Sequence, residues 1–188
     1  DQSGMSIDYR HDFQGLDIKL AWEHLKLQHL QLLAAAAFHT PALRDELEHD
    51  LRSWLALPPF YGIGYAAGIE CALRMMSVLV ILEWHPQWPE DLHRQLWQRL
   101  HDLHQWILRY PSLHSSGNNH RVAEVTACFI IECLVPQWRP ITLAARSAQL
   151  VRRLEQQFHF DGVGTEQAPF YQALVTEWMV LADRVAQR

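Results

Sequence analysis

Apolar residues recur at helical spacing through almost the whole chain, and no segment shows strand-like alternation free of a competing helical reading. From Asp17, the stretch DIKLAWEHLKLQHLQLLAAAAF places Leu20, Leu27, Leu30 and Leu33 near three-, four- and seven-residue steps and predicts a helix. Thr40 and Pro41 look like the cap and first position of a second helix that runs to Leu55. LPPFYGIGY interrupts it as a loop, its two prolines and two glycines constraining the backbone. GIECALRMMSVLVILEW then reads as a helix apolar on most faces, and EDLHRQLWQRLHDLHQWILRY, after Pro86 and Pro89, as a long amphipathic one. RVAEVTACFIIECLV is again almost wholly apolar, while ITLAARSAQLVRRLEQQF is amphipathic after the breaks at Pro136 and Pro140. DGVG turns the chain, and APFYQALVTEWMVLADRVAQ closes it. Residues 1–16 have little periodicity and read as a lead-in loop. The prediction is an all-α chain of roughly seven helices. Buried helices alternating with surface helices are what stacked helical hairpins give, as in solenoids and α/α toroids.

Length and composition narrow this picture. With 188 residues, 49% of them hydrophobic, the chain can bury a sizeable core, and 17–188 is expected to form a single helical domain. A formal net charge of -5 excludes the basic footprint of a nucleic-acid binder. No apolar run approaches the roughly 18 residues needed to span a bilayer. Cys71, Cys128 and Cys133 form no CxxC pair and lie inside helical patterns, so buried free thiols are expected rather than a disulfide framework. The 12 histidines make the charge sensitive to mild acid. His93, His101 and His104 share a helix without a clear carboxylate or cysteine partner set, so no metal site and no cofactor are expected. The chain opens on Asp1 and shows no signal peptide, as a processed chain or a fragment would.

Three places concentrate polar chemistry. In SSGNNHRVAE, Ser115 to Glu124, either Asn118 or Asn119 can cap the following helix. One cap needs one side chain, which leaves a second amide and His120 in a first turn whose partial positive charge favours an anion such as a carboxylate. Glu124, four residues beyond His120, can orient the imidazole or make only a surface contact. In FDGVGTEQAPFYQ, Gly162 and Gly164 give backbone freedom, Pro169 suits a first helical turn, Glu166 is a cap or a polar cleft wall, and Tyr171 is a packing residue or a phenolic proton donor. Near PPFYGIGY, Trp54, Tyr61 and Tyr65 with Phe60 are candidates to line a sugar-binding surface or to close a core. Glu70 and Arg74, four apart, are expected to form an ion pair.

Taken in order, DIKLAWEHLKLQHL, GIECALRMMSVLV, NNHRVAEV and QFHFDGVGTEQAPFYQALVTEWMVLA resemble the helical domain of bacterial heparinase II/III-like polysaccharide lyases. The similarity runs from about Asp17 to the C-terminus, and the pairing of Asn-Asn-His with Asp-Gly…Glu-Gln…Tyr about fifty residues later carries it. The resemblance implies an incomplete α/α toroid, a following β-sandwich domain, a periplasmic or secreted location, and β-elimination on uronic-acid polysaccharides such as alginate. It implies that Asn119 neutralises the uronate carboxylate, that His120 assists or acts as base, and that Tyr171 passes a proton to the leaving glycosidic oxygen. Donors held at a helix start suit a carbanion-like intermediate. Asn118, Glu124, Glu166, Trp54, Tyr61 and Tyr65 would then contact the acidic polysaccharide. Many relatives carry histidine directly after the tyrosine; here it is Gln172.

This chain ends at Arg188 without a β-rich region, so it is expected to be the helical portion of such a lyase, with little or no activity alone and with the missing C-terminal β-domain as a partner. An apolar edge left where that domain docks favours self-association. A rival reading keeps the fold and drops the chemistry, as a helical module binding acidic polysaccharide or a protein. A hydrolase would need two carboxylates flanking a cleft, and Glu124 and Glu166 are the obvious pair.

Overall fold

A computed structural model describes residues 17–60, 62–114 and 117–187. The expected lead-in loop at 1–16, and Tyr61, Ser115 and Ser116 of the candidate segments, lie outside the described residues. The fold is all-α: the described residues form eight α-helices and three short 3-10 turns, with a single isolated bridge between Phe158 and Gly164. Among them, no helix is long and apolar enough to cross a membrane. The helices divide between two compact units, one reaching to Arg109 and one beginning at Tyr110.

In the first unit, α1 (Ile18–Leu25), α2 (Gln28–His39) and α5 (Glu90–Arg109) pack against α4 (Gly68–Trp84), and α3 (Arg44–Leu55) packs against α2 and α5. As the apolar run predicts, α4 is buried along its first eleven residues, from Gly68 to Val78. Helix α5 buries Leu92, Leu96, Leu100, Leu103 and Ile107 on one face, matching its amphipathic pattern.

The single helix expected from Asp17 is in fact two. Leu27 takes the left-handed conformation at φ 61° while its side chain is buried, and the carbonyls at the break are met by α4. Leu25 O accepts from Arg74 Nε at 2.6 Å, and Lys26 O accepts from the Ser77 hydroxyl at 2.8 Å. Periodicity survives such a break, so the pattern could not disclose it. Thr40 is also corrected: a 3-10 turn at Pro41–Leu43 precedes α3, and the Thr40 side chain makes no cap bond.

The second unit is built on α6 (Asn119–Leu134), which packs against α7 (Leu143–Glu155) and α8 (Pro169–Ala186). Helix α6 is buried without a gap from Val122 to Glu132, and α8 turns Val175, Trp178 and Ala182 inward. Arg146 of α7 clasps Glu132 of α6 with two bonds, Nη2 to Oε1 at 2.8 Å and Nε to Oε2 at 3.0 Å. Thr142 caps α7 by accepting the Ala145 N–H. The cysteines are free, Cys71 and Cys128 buried and Cys133 half-buried, and burial pushes the Cys128 thiol up to about 12, which leaves it unreactive.

Candidate functional site

The first backbone N–H groups of a helix lack full helical acceptors, and at the start of α6 two of them are met by side chains while Arg121 N–H turns to Asn118 O. Asn118 caps the helix, its Oδ1 accepting the His120 N–H at 3.2 Å. The Asn119 N–H donates to Glu166 Oε1 at 3.0 Å, although Glu166 is 47 residues further on. A carboxylate at this end is favoured by the helix dipole. Glu166 therefore ties the start of α6 to the segment that leads into α8, and it is the anion that this helix end holds.

The segment before α8 is itself fastened down. Gly162 adopts φ 85°, and Asp161 Oδ1 accepts the Val163 N–H across the turn. Gln172 reaches back from the first turn of α8, accepting from Gly164 N–H and donating to Gly162 O. The residue that departs from the lyase pattern thus holds the turn in place. Pro169 opens α8 as expected, and Tyr171, two residues later, is exposed. Glu166 and Tyr171 line the same crevice, together with Phe158 and Gln172, but its volume is only about 10 Å³. That is the space of a single water, not of a sugar ring.

Two expectations for this region are corrected. Asn119 is only 3% exposed, so its amide does not stand open to a bound carboxylate; its Oδ1 is buried without a hydrogen-bond partner among the described residues. Glu124 does not orient His120 as a surface neighbour would. It is fully buried, and its carboxylate takes the Ser112 N–H and hydroxyl and Arg121 Nη1, the last at 2.8 Å. It anchors the approach to α6 from inside the unit. That also removes it from any pair of cleft carboxylates, as a hydrolase would require. His120 is half-buried in the first turn.

Trp54 and Tyr65 belong to the first unit. They offer no open stacking surface, being 6% and 4% exposed. Instead they line a cavity of about 310 Å³ with Leu25, Ile63, Arg74 and Arg99. Phe60, at φ 67°, stacks on Trp106 at 5.6 Å between ring centres, and Tyr65 meets Trp106 edge-on at 5.3 Å. Trp22 Nε1 donates to Ile63 O at 3.0 Å and fastens the loop to α1. The guanidiniums lie over the rings, Arg74 at 5.4 Å from Tyr65 and Arg99 at 5.2 Å from Trp54.

Arg74 is not paired with Glu70, contrary to their spacing. It donates to Leu25 O and Gly64 O, while Glu70 keeps a buried Oε2 without a hydrogen-bond partner among the described residues. Burial pushes the Glu70 carboxyl up to about 7, against the pull of Lys26 and Arg74. Arg99 went unnoticed in the sequence, yet its signal is legible: it lies between Leu96 and Leu100 on the apolar face of α5. Glu166 as an α6 cap had no local signal, because its partner is distant in the chain.

No family model, curated protein or solved structure matches this chain.

Proposed function

We propose that the chain is the helical part of a lyase that cleaves uronic-acid polysaccharides by β-elimination. The observation that carries this reading is the Glu166 bond to the Asn119 N–H, which gathers Asn118, Asn119, His120 and the segment before Tyr171 at one end of one unit. The two motifs that carry the resemblance are separated in sequence, and a lyase needs them together. The incomplete α/α toroid belongs to the same proposal.

In this reading Glu166 is the internal anion that a uronate carboxylate replaces at the start of α6. Two carboxylates at one helix end repel, so the substrate gains the site as Glu166 leaves it, and the small crevice widens with that exchange. Release of the Thr165–Ala168 segment frees the Asn119 N–H and opens a way to the Asn119 side-chain amide, whose N–H groups can donate to a carboxylate. There it neutralises the carboxylate next to the carbon that loses its proton. His120 assists as base, and the exposed phenol of Tyr171 gives a proton to the leaving oxygen.

The test is near-ultraviolet absorbance of unsaturated uronate products after incubation with alginate, heparin or heparan sulfate. It uses both this chain and the complete open reading frame that contains it. Absorbance gain in the latter, lost in Asn119→Ala and Tyr171→Phe, supports the reading; no gain on any of the three polymers, or an unchanged rate in both variants, refutes it. Glu166→Gln is expected to tighten polysaccharide binding several-fold by removing the competing charge, whereas weaker binding would make Glu166 a wall that contacts substrate.

A further inference from the structure

The cavity of the first unit has a composition that the lyase reading does not use. It places two buried cations, Arg74 at 1% and Arg99 at 6% exposure, beside apolar walls from Leu25, Trp54 and Ile63. No carboxylate lies within 4 Å of either guanidinium among the described residues. Backbone carbonyls meet part of their hydrogen-bonding capacity. Arg74 gives Nε to Leu25 O and Nη2 to Gly64 O; Arg99 gives Nη2 to both Leu55 O and Leu57 O. These bonds use at most two of the five N–H groups of each guanidinium. Carbonyl dipoles offset some of the cost of burying a charge, and Glu70, the carboxyl that Arg74 pulls on, is pushed up to about 7 by burial and forms no ion pair with it among the described residues.

Tyr65 supplies the independent sign of a ligand. Its hydroxyl is buried and makes no hydrogen bond of normal geometry among the described residues, although the Phe60 backbone lies close to it. Burial pushes the phenol above its ordinary range even though Arg99 and Arg74 both lie near enough to pull it down, so it remains a protonated donor at neutral pH. A buried hydroxyl without a partner costs free energy that an acceptor would recover. Two cations and one hydroxyl donor around a common space call for an acceptor that carries negative charge.

We propose that this cavity binds a small organic carboxylate with an apolar ring. The carboxylate accepts from Tyr65 Oη and from the remaining guanidinium N–H groups, a geometry that its two oxygens satisfy. The ring lies against Leu25, Trp54 and Ile63. The volume is near the lower end for small-molecule pockets, which sets the size at about a single ring with its acid group. Walls this apolar select against a hydroxyl-rich sugar. The site is therefore independent of the polysaccharide reading.

Benzoate is the probe, titrated into the full chain and followed by calorimetry, with benzyl alcohol as its neutral counterpart and glucuronate as its polar one. Saturable 1:1 binding of benzoate with a Kd of about 1 mM or tighter is expected, with both comparison compounds at least about tenfold weaker. Tyr65→Phe removes a hydroxyl that makes no hydrogen bond of normal geometry among the described residues, so it is expected to hold the melting temperature while weakening benzoate roughly tenfold. The assignment falls if benzoate shows no saturable binding, if benzyl alcohol or glucuronate binds as tightly, or if Tyr65→Phe leaves the benzoate affinity unchanged.

Discussion

Helices α4 and α6 look alike in sequence, each an apolar run interrupted by two acids and an arginine, yet they treat their buried charges in opposite ways. On α6 both buried acids are fully engaged: Glu132 takes two bonds from Arg146, and Glu124 takes Ser112 and Arg121. On α4, Arg74 turns to backbone carbonyls and Glu70 keeps an oxygen with no hydrogen-bond partner among the described residues. A paired buried charge has its electrostatics consumed by the fold and can do little else. An unpaired one retains capacity toward a ligand or a proton. This contrast locates latent chemistry in the first unit, whereas the resemblance to lyases directs attention to the second.

The comparison breaks most visibly at Glu132. Glu132→Gln leaves Arg146 buried without its counter-charge and is expected to destabilise the second unit by about 3–5 kcal/mol. Urea unfolding, with hydrogen exchange in α6 and α7 as the local readout, measures it. Replacing both partners together, Glu132→Met with Arg146→Leu, is expected to recover most of the loss, because packed apolar groups replace a buried pair at little cost. If the double variant stays as unstable as the single one, the pair is more than a staple and the contrast with α4 weakens.

Glu70 comes next. Its folded carboxyl titrates at about 7, above the ordinary value of 4.5, so the folded state holds a proton that the unfolded state releases. The associated stability is fully present below pH 4.5 and is lost as pH rises through 7. The shift corresponds to about 3 kcal/mol at most. Glu70→Gln is expected to match the wild type at pH 4 and to exceed it by up to that amount at pH 8. Parallel stability curves for the two proteins between those values would mean that Glu70 is solvated or paired.

What the sequence disclosed, and what it hid, follows from the range of each interaction. The helices, their apolar faces and the Pro169 start of α8 rest on local periodicity and turn chemistry, and these were legible. So was an asparagine cap on α6, though not which of the two residues serves. The break at Leu27 depends on Arg74 and Ser77 reaching it from α4, and Glu166 reaches Asn119 across 47 positions. A pattern read within one segment carries no trace of either. The Glu70–Arg74 pair failed for the same reason: four-residue spacing permits contact, but the nearby carbonyls of Leu25 and Gly64 captured the guanidinium first.

Gly64 sharpens the comparison on the α4 side. A methyl group there would stand 2.6 Å from Arg74 Nη2, too close for either to stay. Gly64→Ala is expected to cost about 1–3 kcal/mol as the guanidinium shifts. It is also expected to weaken benzoate in the first unit while leaving hydrogen exchange in α6 untouched. A thermal melt and the same calorimetric titration decide it. Unchanged stability would show that Arg74 moves freely and is not held by the Gly64 carbonyl.

The smallest effect separates the two meanings of the α6 start. The Asn118 side chain accepts one N–H bond at the helix start, so Asn118→Ala is expected to cost about 1 kcal/mol of stability, the ordinary loss of a cap. Asn118→Asp keeps the cap and adds a negative charge beside the carboxylate of Glu166. As a cap alone it would be close to neutral, since the helix dipole favours the charge while Glu166 opposes it. If the same helix end receives a uronate carboxylate, the added charge must repel it, and polysaccharide binding should fall several-fold while the melting temperature holds. A variant that changes neither stability nor binding would leave Asn118 as a cap alone and remove the start of α6 from the proposed site.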